Sequence, residues 1–229
     1  MTDAILRPAV FAECDGIVAG FTTRAFSPPD EPREATRARL GDVTGFGDIA
    51  SVGQVHGAGV VTVRAPGHTP AHDGLVTDRL GLLLTTVAAD CALVLLADAE
   101  AGVVGACHSG WRGTVAGVLG ETVRAMEALG AEAGRLRGYV GPCISPEAFE
   151  VGEEVAAQFD PSVVVRRPEW PRPHVDLRAE LVAQWTRLGA EADRVEVAEG
   201  CTMTGTDRFY SYRAEGGTPG RMIGFIGQR

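Results

Sequence analysis

The sequence predicts an α+β layered domain, and three features lead there. Short apolar runs bounded by turn residues, Leu82 to Ala88, Ala92 to Ala97 and Gly102 to Ala106, read as buried strands. Val115, Val118, Leu119, Thr122, Met126 and Leu129 recur at helical spacing. Helix and strand signals then alternate irregularly, without a βαβ period or an internal repeat, which suits layers of sheet and helix around a shared core.

Taken in order, residues 10 to 24 predict two short strands around Asp15-Gly16. Ser27 to Arg39, rich in Pro and charge, predicts a loop running into a short helix. Val52 to Val63 is strand-like but broken at Gln54-Val55-His56 and Gly57-Ala58-Gly59, where glycines beside a strand-end His let other groups approach it. Pro66 to Asp73 reads as a polar loop, and Leu82 to Ala88 leads directly into Asp90-Cys91. The helix that follows Gly113 stops at Gly130, a plausible C′ residue. After a strand at Arg137 to Val140, Ser145 as N-cap and Pro146 at N1 predict a helix through about Phe159. Val163 to Val165 is a strand, Arg166 to His174 a loop, and Asp176 caps a helix that reaches Leu188 and stops at Gly189. Val195 to Val197 and Met222 to Ile226 are strands. Between them lies a polar-aromatic cluster, Arg208-Phe209-Tyr210-Ser211-Tyr212-Arg213.

Composition limits the function. With 229 residues the chain can bury a sizeable core as one large domain or two small ones. A formal charge of −9 argues against a nucleic-acid surface. Every basic residue is arginine, so a P-loop lysine and a Schiff-base lysine are both excluded. Five scattered cysteines, with no C-x-x-C pair, follow a reduced, intracellular pattern. No apolar run reaches the ~18 residues of a membrane span, and the first residues lack the order of a signal peptide. A soluble, cytoplasmic protein is expected.

The chemistry concentrates between residues 56 and 113. His56, Cys91 and His108 each stand at the end of an apolar run, and one thiolate with two imidazoles suits Zn²⁺ while leaving a fourth position open. Their spacing matches no zinc finger, so a packed core Cys or hydrogen-bonded His, and a metal-free Cys91/His108 nucleophile-base dyad, stay open on the residues alone. If the strand runs from Val103 to His108, alternation puts Val104, Ala106 and His108 on one face and Cys107 on the other.

These residues also carry a resemblance. Phe21-Thr22-Thr23-Arg24, Gln54-Val55-His56, Asp73-Gly74-Leu75-Val76-Thr77, Ala89-Asp90-Cys91, His108-Ser109-Gly110-Trp111-Arg112-Gly113, Gly141-Pro142-Cys143-Ile144, Phe149-Glu150-Val151-Gly152, Cys201-Thr202 and Phe209-Tyr210-Ser211-Tyr212-Arg213 stand in the order found in the YfiH-like proteins. That family carries the labels polyphenol oxidoreductase, laccase and purine nucleoside phosphorylase. The resemblance implies one α/β/β/α catalytic domain over residues 1–229, with zinc held by His56, Cys91 and His108. It implies a purine nucleoside and phosphate as substrates, with adenosine deaminase and methylthioadenosine phosphorylase as further activities. Serine removal from peptidoglycan precursors and a non-enzymatic zinc-stabilised binding protein are the alternatives. For phosphorolysis, Arg112 with Arg24 would grip phosphate, Asp90 would act as acid/base or orient the site, and Trp111, Phe209 and Tyr210 would stack a purine. A four-copper laccase cluster needs about ten imidazoles. This chain has five histidines, and its H-x-E and P-C-x-x-C deaminase signatures are missing.

Overall fold

The computed structural model describes residues 4–216 and 220–229, so Met1 to Asp3, where the sequence was read for a leader, lie outside it. In chain order the elements are β1 (Ile5–Leu6), β2 (Ile17–Thr22), α1 (Arg33–Thr44), β3 (Asp48–Gly53), β4 (Val60–Thr62), β5 (Gly67–Pro70), β6 (Gly74–Thr77), β7 (Leu82–Ala88), β8 (Ala92–Asp98) and β9 (Val103–Ser109). There follow α2 (Trp111–Ala116), α3 (Val118–Glu127), β10 (Arg137–Val140), α4 (Glu153–Ala156), β11 (Val164–Val165), β12 (His174–Val175), α5 (Leu177–Arg187), β13 (Val195–Val197), α6 (Tyr212–Glu215) and β14 (Met222–Gln228).

Two mixed six-stranded sheets carry the molecule, one ordered β1-β2-β14-β7-β3-β5 and the other β13-β10-β8-β9-β6-β4. Side-chain alternation along the apolar strands builds the layers. Leu93, Leu95 and Ala97 of β8, with Val104 and Ala106 of β9, meet Phe21, Leu84 and Ile226 of the first sheet in a shared core. The intervening residues Ala92, Val94, Leu96, Val103 and Cys107 face the opposite way, against Leu119, Val123 and Met126 of α3 and Leu181 and Trp185 of α5. On the far side, Leu40 of α1 packs with Phe46 on Leu83, Ile223 and Phe225. The order helix, sheet, sheet, helix is thus the α+β layering read from the sequence.

Several elements differ from the sequence reading. The stretch predicted as a helix to Phe159 is helical only at Glu153–Ala156. Phe149 and Val151 are buried, and the Val151 and Val175 N–H groups donate to the carbonyls of Pro173 and Phe149, so extended pairing replaces the helical bonds. The predicted helix after Gly113 starts earlier, at Trp111, and breaks at Gly117, whose φ of 81° no helix tolerates. Its end does follow expectation, with the Gly130 N–H donating to Glu127 O and the Ala131 N–H to Met126 O, the paired bonds of a Schellman stop. The first of the two strands expected around Asp15-Gly16 is a 3₁₀ turn at Ala9–Phe11, and Ile5–Leu6 supplies the partner of β2 instead. The loop at Pro66 to Asp73 contains β5, which pairs parallel to β3, and the loop ending at His174 contains the first residue of β12. The break at residues 54–59 carries the chain from the first sheet to the second, and His56 lies in that crossing.

Candidate active site

His56, Cys91 and His108 reach one point from three directions. His56 lies in the crossing between sheets, Cys91 in the turn between β7 and β8, and His108 near the end of β9. Their ligand atoms all lie within 4.8 Å of one another, and the two imidazoles stand edge to face with centroids 4.8 Å apart. Among the described residues this is the one cluster of three or more His, Cys, Asp or Glu side chains able to hold a metal ion. Alternation along β9 sends Cys107 to the helix-facing side, as its pattern predicted.

Asp73, fully buried, assembles the trio. Its carboxylate accepts the backbone N–H groups of Val55 (3.1 Å), His56 (3.0 Å) and Gly57 (2.7 Å), which fixes the crossing loop. It also accepts the His108 Nδ1–H at 2.8 Å, leaving the Nε2 lone pair for a metal. Burial opposes its charge, but the His108 bond and the Gly57 and Val55 N–H groups outweigh that and hold Asp73 below the usual carboxylate range. Packing, then the neighbouring His108, lowers the His56 pKa and favours the neutral ring that a metal needs. Burial, then the charge of Asp90, pushes the Cys91 thiol up to about 12. A bare thiolate nucleophile is therefore poorly supported, whereas a bound cation displaces such a proton.

The donor set fits zinc, a borderline-soft ion that accepts sulfur and imidazole nitrogen together. Space is kept open for it at Gly110. A Cβ built there would come within 2.9 Å of Cys91 Sγ and 3.2 Å of His56 Cδ2. Gly110→Ala is accordingly expected to weaken metal affinity by about 100-fold while the circular dichroism spectrum stays unchanged. Unaltered zinc affinity in the variant would show that the cradle has no such role. Two site residues also hold left-handed backbone, His56 at φ 60° and Asp90 at φ 83°. Such conformations in non-glycine residues persist where surrounding bonds impose them.

A cavity of about 1190 Å³ opens onto the trio. Trp111, Ile144, Phe149 and Leu177 give it an apolar wall, and Arg33, Arg37, Arg213 and Arg221 also line it. The sequence-predicted residues separate here. Trp111 and Asp90 line the cavity. The Asp90 carboxylate accepts from Thr202 Oγ1 (2.6 Å) and from the Arg213 N–H (2.7 Å), so both oxygens orient neighbouring loops. Arg112 is exposed and stacks at 4.3 Å over the ring of Trp111; it does not itself line the cavity, but its charge reaches His56. Arg24 pairs with Glu215 and covers Tyr210, which anchors α6. Phe209 and Tyr210 are 2% and 1% exposed, with Phe209 edge-on to Phe21 and the Tyr210 hydroxyl donating to Ser27 O. Their expected stacking on a purine is corrected to core packing, which their shared apolar surroundings enforce.

Cys143 and Cys201, which had no evident task, lie on adjoining segments. Arg178 Nε donates to Cys143 Sγ and the Ser145 N–H to Cys201 Sγ, so both sulfurs serve as acceptors in a loop bracket. Sequence reasoning missed Asp73 as the organising carboxylate, although it opens the Asp-Gly-Leu-Val-Thr run. It also missed the three arginines Arg33, Arg37 and Arg221, which only the fold brings to one cavity.

Comparison with known proteins follows this geometry. A family model described as multi-copper polyphenol oxidoreductase laccase matches residues 26–229. A purine nucleoside phosphorylase of Deinococcus radiodurans is 42% identical over 219 residues, covering 93% of this chain and 83% of that protein. Adenosine deaminase RL5, from an unknown prokaryotic organism, is 35% identical over 157 residues, covering 66% of this chain and 60% of that protein. The crystal structure of YlmD from Geobacillus stearothermophilus superposes with a TM-score of 0.89 at 29% identity, covering 100% of this chain and 97% of that one. With its layered sheets and the match running from residue 26 to 229, the chain belongs to the YfiH-like family, whose model bears the laccase description.

Proposed function

We propose that this protein is a zinc-dependent purine nucleoside phosphorylase. The observation that carries the reading is the cavity, which sets the His56/Cys91/His108 donor set between an apolar wall and a group of arginines. A nucleoside needs the first kind of surface for its base and phosphate needs the second. The name of the Deinococcus radiodurans relative supports it. In the reaction a phosphate oxygen attacks the anomeric carbon and the bond from that carbon to the purine nitrogen breaks. The electron pair leaves with the base, which takes up a proton, and ribose 1-phosphate is the other product.

Zinc, when bound, supplies Lewis-acid charge beside the reacting centre. The chain supplies the positioning. Asp73 holds His56 and His108 in register, Asp90 fixes the start of α6 through the Arg213 N–H, and Trp111 with Phe149 offers the base a face for stacking. A laccase reading is not supported by the donors. Among the described residues the donor cluster holds His56, Cys91 and His108 and none of His68, His72 and His174, and its two imidazoles fall far short of the roughly ten that four copper ions need. Deamination of adenosine is the second reading, favoured by the name of the RL5 relative.

The test supplies zinc-loaded protein with inosine, adenosine or methylthioadenosine, with and without phosphate. Phosphate-dependent release of free base with ribose 1-phosphate is expected, and conversion of adenosine to inosine without phosphate would report the deaminase. Absence of phosphate-dependent base release from every nucleoside would overturn the principal reading.

A further inference from the structure

We propose that Arg33, Arg37 and Arg221 form a seat for a phosphoryl group beside the metal-ligand trio. The inference rests on the phosphorolysis reading for the role of the seat, but not for its existence.

Arg33 and Arg37 stand one turn apart near the start of α1, and Arg221 immediately precedes β14; all three line the cavity. They are close enough for the charge of Arg33 to act on both of the others. Other arginines here have carboxylate partners, as in Arg135 with Asp98, Arg166 with Glu153 and Arg187 with Glu180. Among the described residues neither Arg33 nor Arg37 forms an ion pair, and the Arg37 Nε–H is buried without a hydrogen-bond acceptor. Glu34 lines the same wall and opposes part of this charge, and Asp90 acts on Arg221, but Asp90 is bonded to Thr202 and Arg213.

Such a grouping is unfavourable by itself. Like charges at i and i+4 destabilise a helix, and cations in its first turn oppose the macrodipole. An oxyanion removes both penalties and gives the guanidinium forks the paired acceptors that their geometry suits. The position also fits the chemistry, because the charge of Arg221 acts on His56 and Cys91. An anion held there adjoins the trio, where the sugar carbon under attack must lie. In a chain of net charge −9, a cationic recess of this kind focuses anions that the rest of the surface repels.

Inorganic phosphate and inosine 5′-monophosphate are the probes, titrated calorimetrically into wild-type zinc-loaded protein and into Arg33→Gln, Arg37→Gln and, as a control for net charge, Arg124→Gln on the exposed face of α3. Each seat variant is expected to weaken phosphate binding by about tenfold or more, and the control by less than about twofold. The KM for phosphate should rise by the same factor with the KM for inosine unchanged. Without phosphate, the seat variants should melt no lower than wild type, since the substitution relieves repulsion. Weakening of phosphate binding alone assigns the seat to the co-substrate, and weakening of the nucleotide alone assigns it to an ester phosphate on the substrate. Unchanged binding of both probes in both seat variants overturns the proposal, as does failure of wild type to bind either. If the variants lose phosphate binding but wild type shows no phosphorolysis, the functional reading fails and the seat stands. If phosphorolysis proceeds with an unchanged phosphate KM in the variants, the converse holds.

Discussion

Cys91→Ser should strip zinc from the protein and lower turnover by about three orders of magnitude, whereas Cys107→Ser should keep both. Zinc binds a thiolate far better than a hydroxyl, and the loss of its charge at the reacting centre removes about 4 kcal/mol of transition-state stabilisation. The two cysteines are both thiols near His108, so the comparison isolates direction. Cys91 shares a 4.8 Å cluster with the two imidazoles, while Cys107 packs among Val94, Leu119 and Met126 on the opposite face of the sheet. A buried hydroxyl at Cys107 should cost about 1–2 kcal/mol of stability and nothing in metal content. His56→Ala and His108→Ala should follow Cys91→Ser. Full zinc occupancy in Cys91→Ser, measured by metal analysis beside Cys107→Ser, would sink the ligand assignment.

Asp73→Asn has the second largest expected effect, and it reaches both fold and metal. The carboxylate accepts three backbone N–H groups and the His108 Nδ1–H, whereas an amide offers one oxygen and turns an NH₂ group toward donors. A loss of about 3 kcal/mol or more is expected, with zinc affinity lowered about 10- to 100-fold. The pH dependence gives an independent readout. Because Asp73 is held below its ordinary value in the folded protein, its contribution is complete above the unfolded value of about 3.9 and is lost as pH falls through the lower folded value. The stability gap between wild type and variant, measured by denaturant titration without metal, should therefore be wide at neutral pH and close in acid. A gap that stays constant down to pH ~2 would mean that the carboxylate charge is not what stabilises the loop.

The parts of this molecule that were legible from sequence are those where local pattern and tertiary environment agree. β8 and β9 are buried on both faces, so their unbroken apolar runs identify them, and parity along β9 separates His108 from Cys107. Asp176 caps α5 as predicted, its side chain accepting from the Arg178 and Ala179 N–H groups. Residues 146–159 were misread because Ser-Pro is a sound helix start, while the competing partner at residues 173–175 is distant in sequence and itself looked like a loop. Phe209 and Tyr210 illustrate a different limit. A single sequence cannot tell an aromatic that lines a cavity from one that fills a core, and here the core takes both. The donor trio was visible because each member ends an apolar run, but the arginine group was not, since residues 33, 37 and 221 share no pattern before the chain folds.

The position of β14 has a consequence for how the molecule is made. It pairs with β2 on one side and β7 on the other, so the first sheet is held together through residues 222–228. During synthesis β2, β3 and β7 emerge long before that strand, and until it arrives β2 and β7 each present an open edge to any other chain nearby. The sheet from which the chain enters both the His56 crossing and the Cys91 turn is completed only then. Arg221, immediately before β14, arrives in the same step. Vectorial synthesis therefore delivers His56, Cys91 and His108 before the strand that fixes their platform, so the site matures only once residues 222–228 have joined the first sheet.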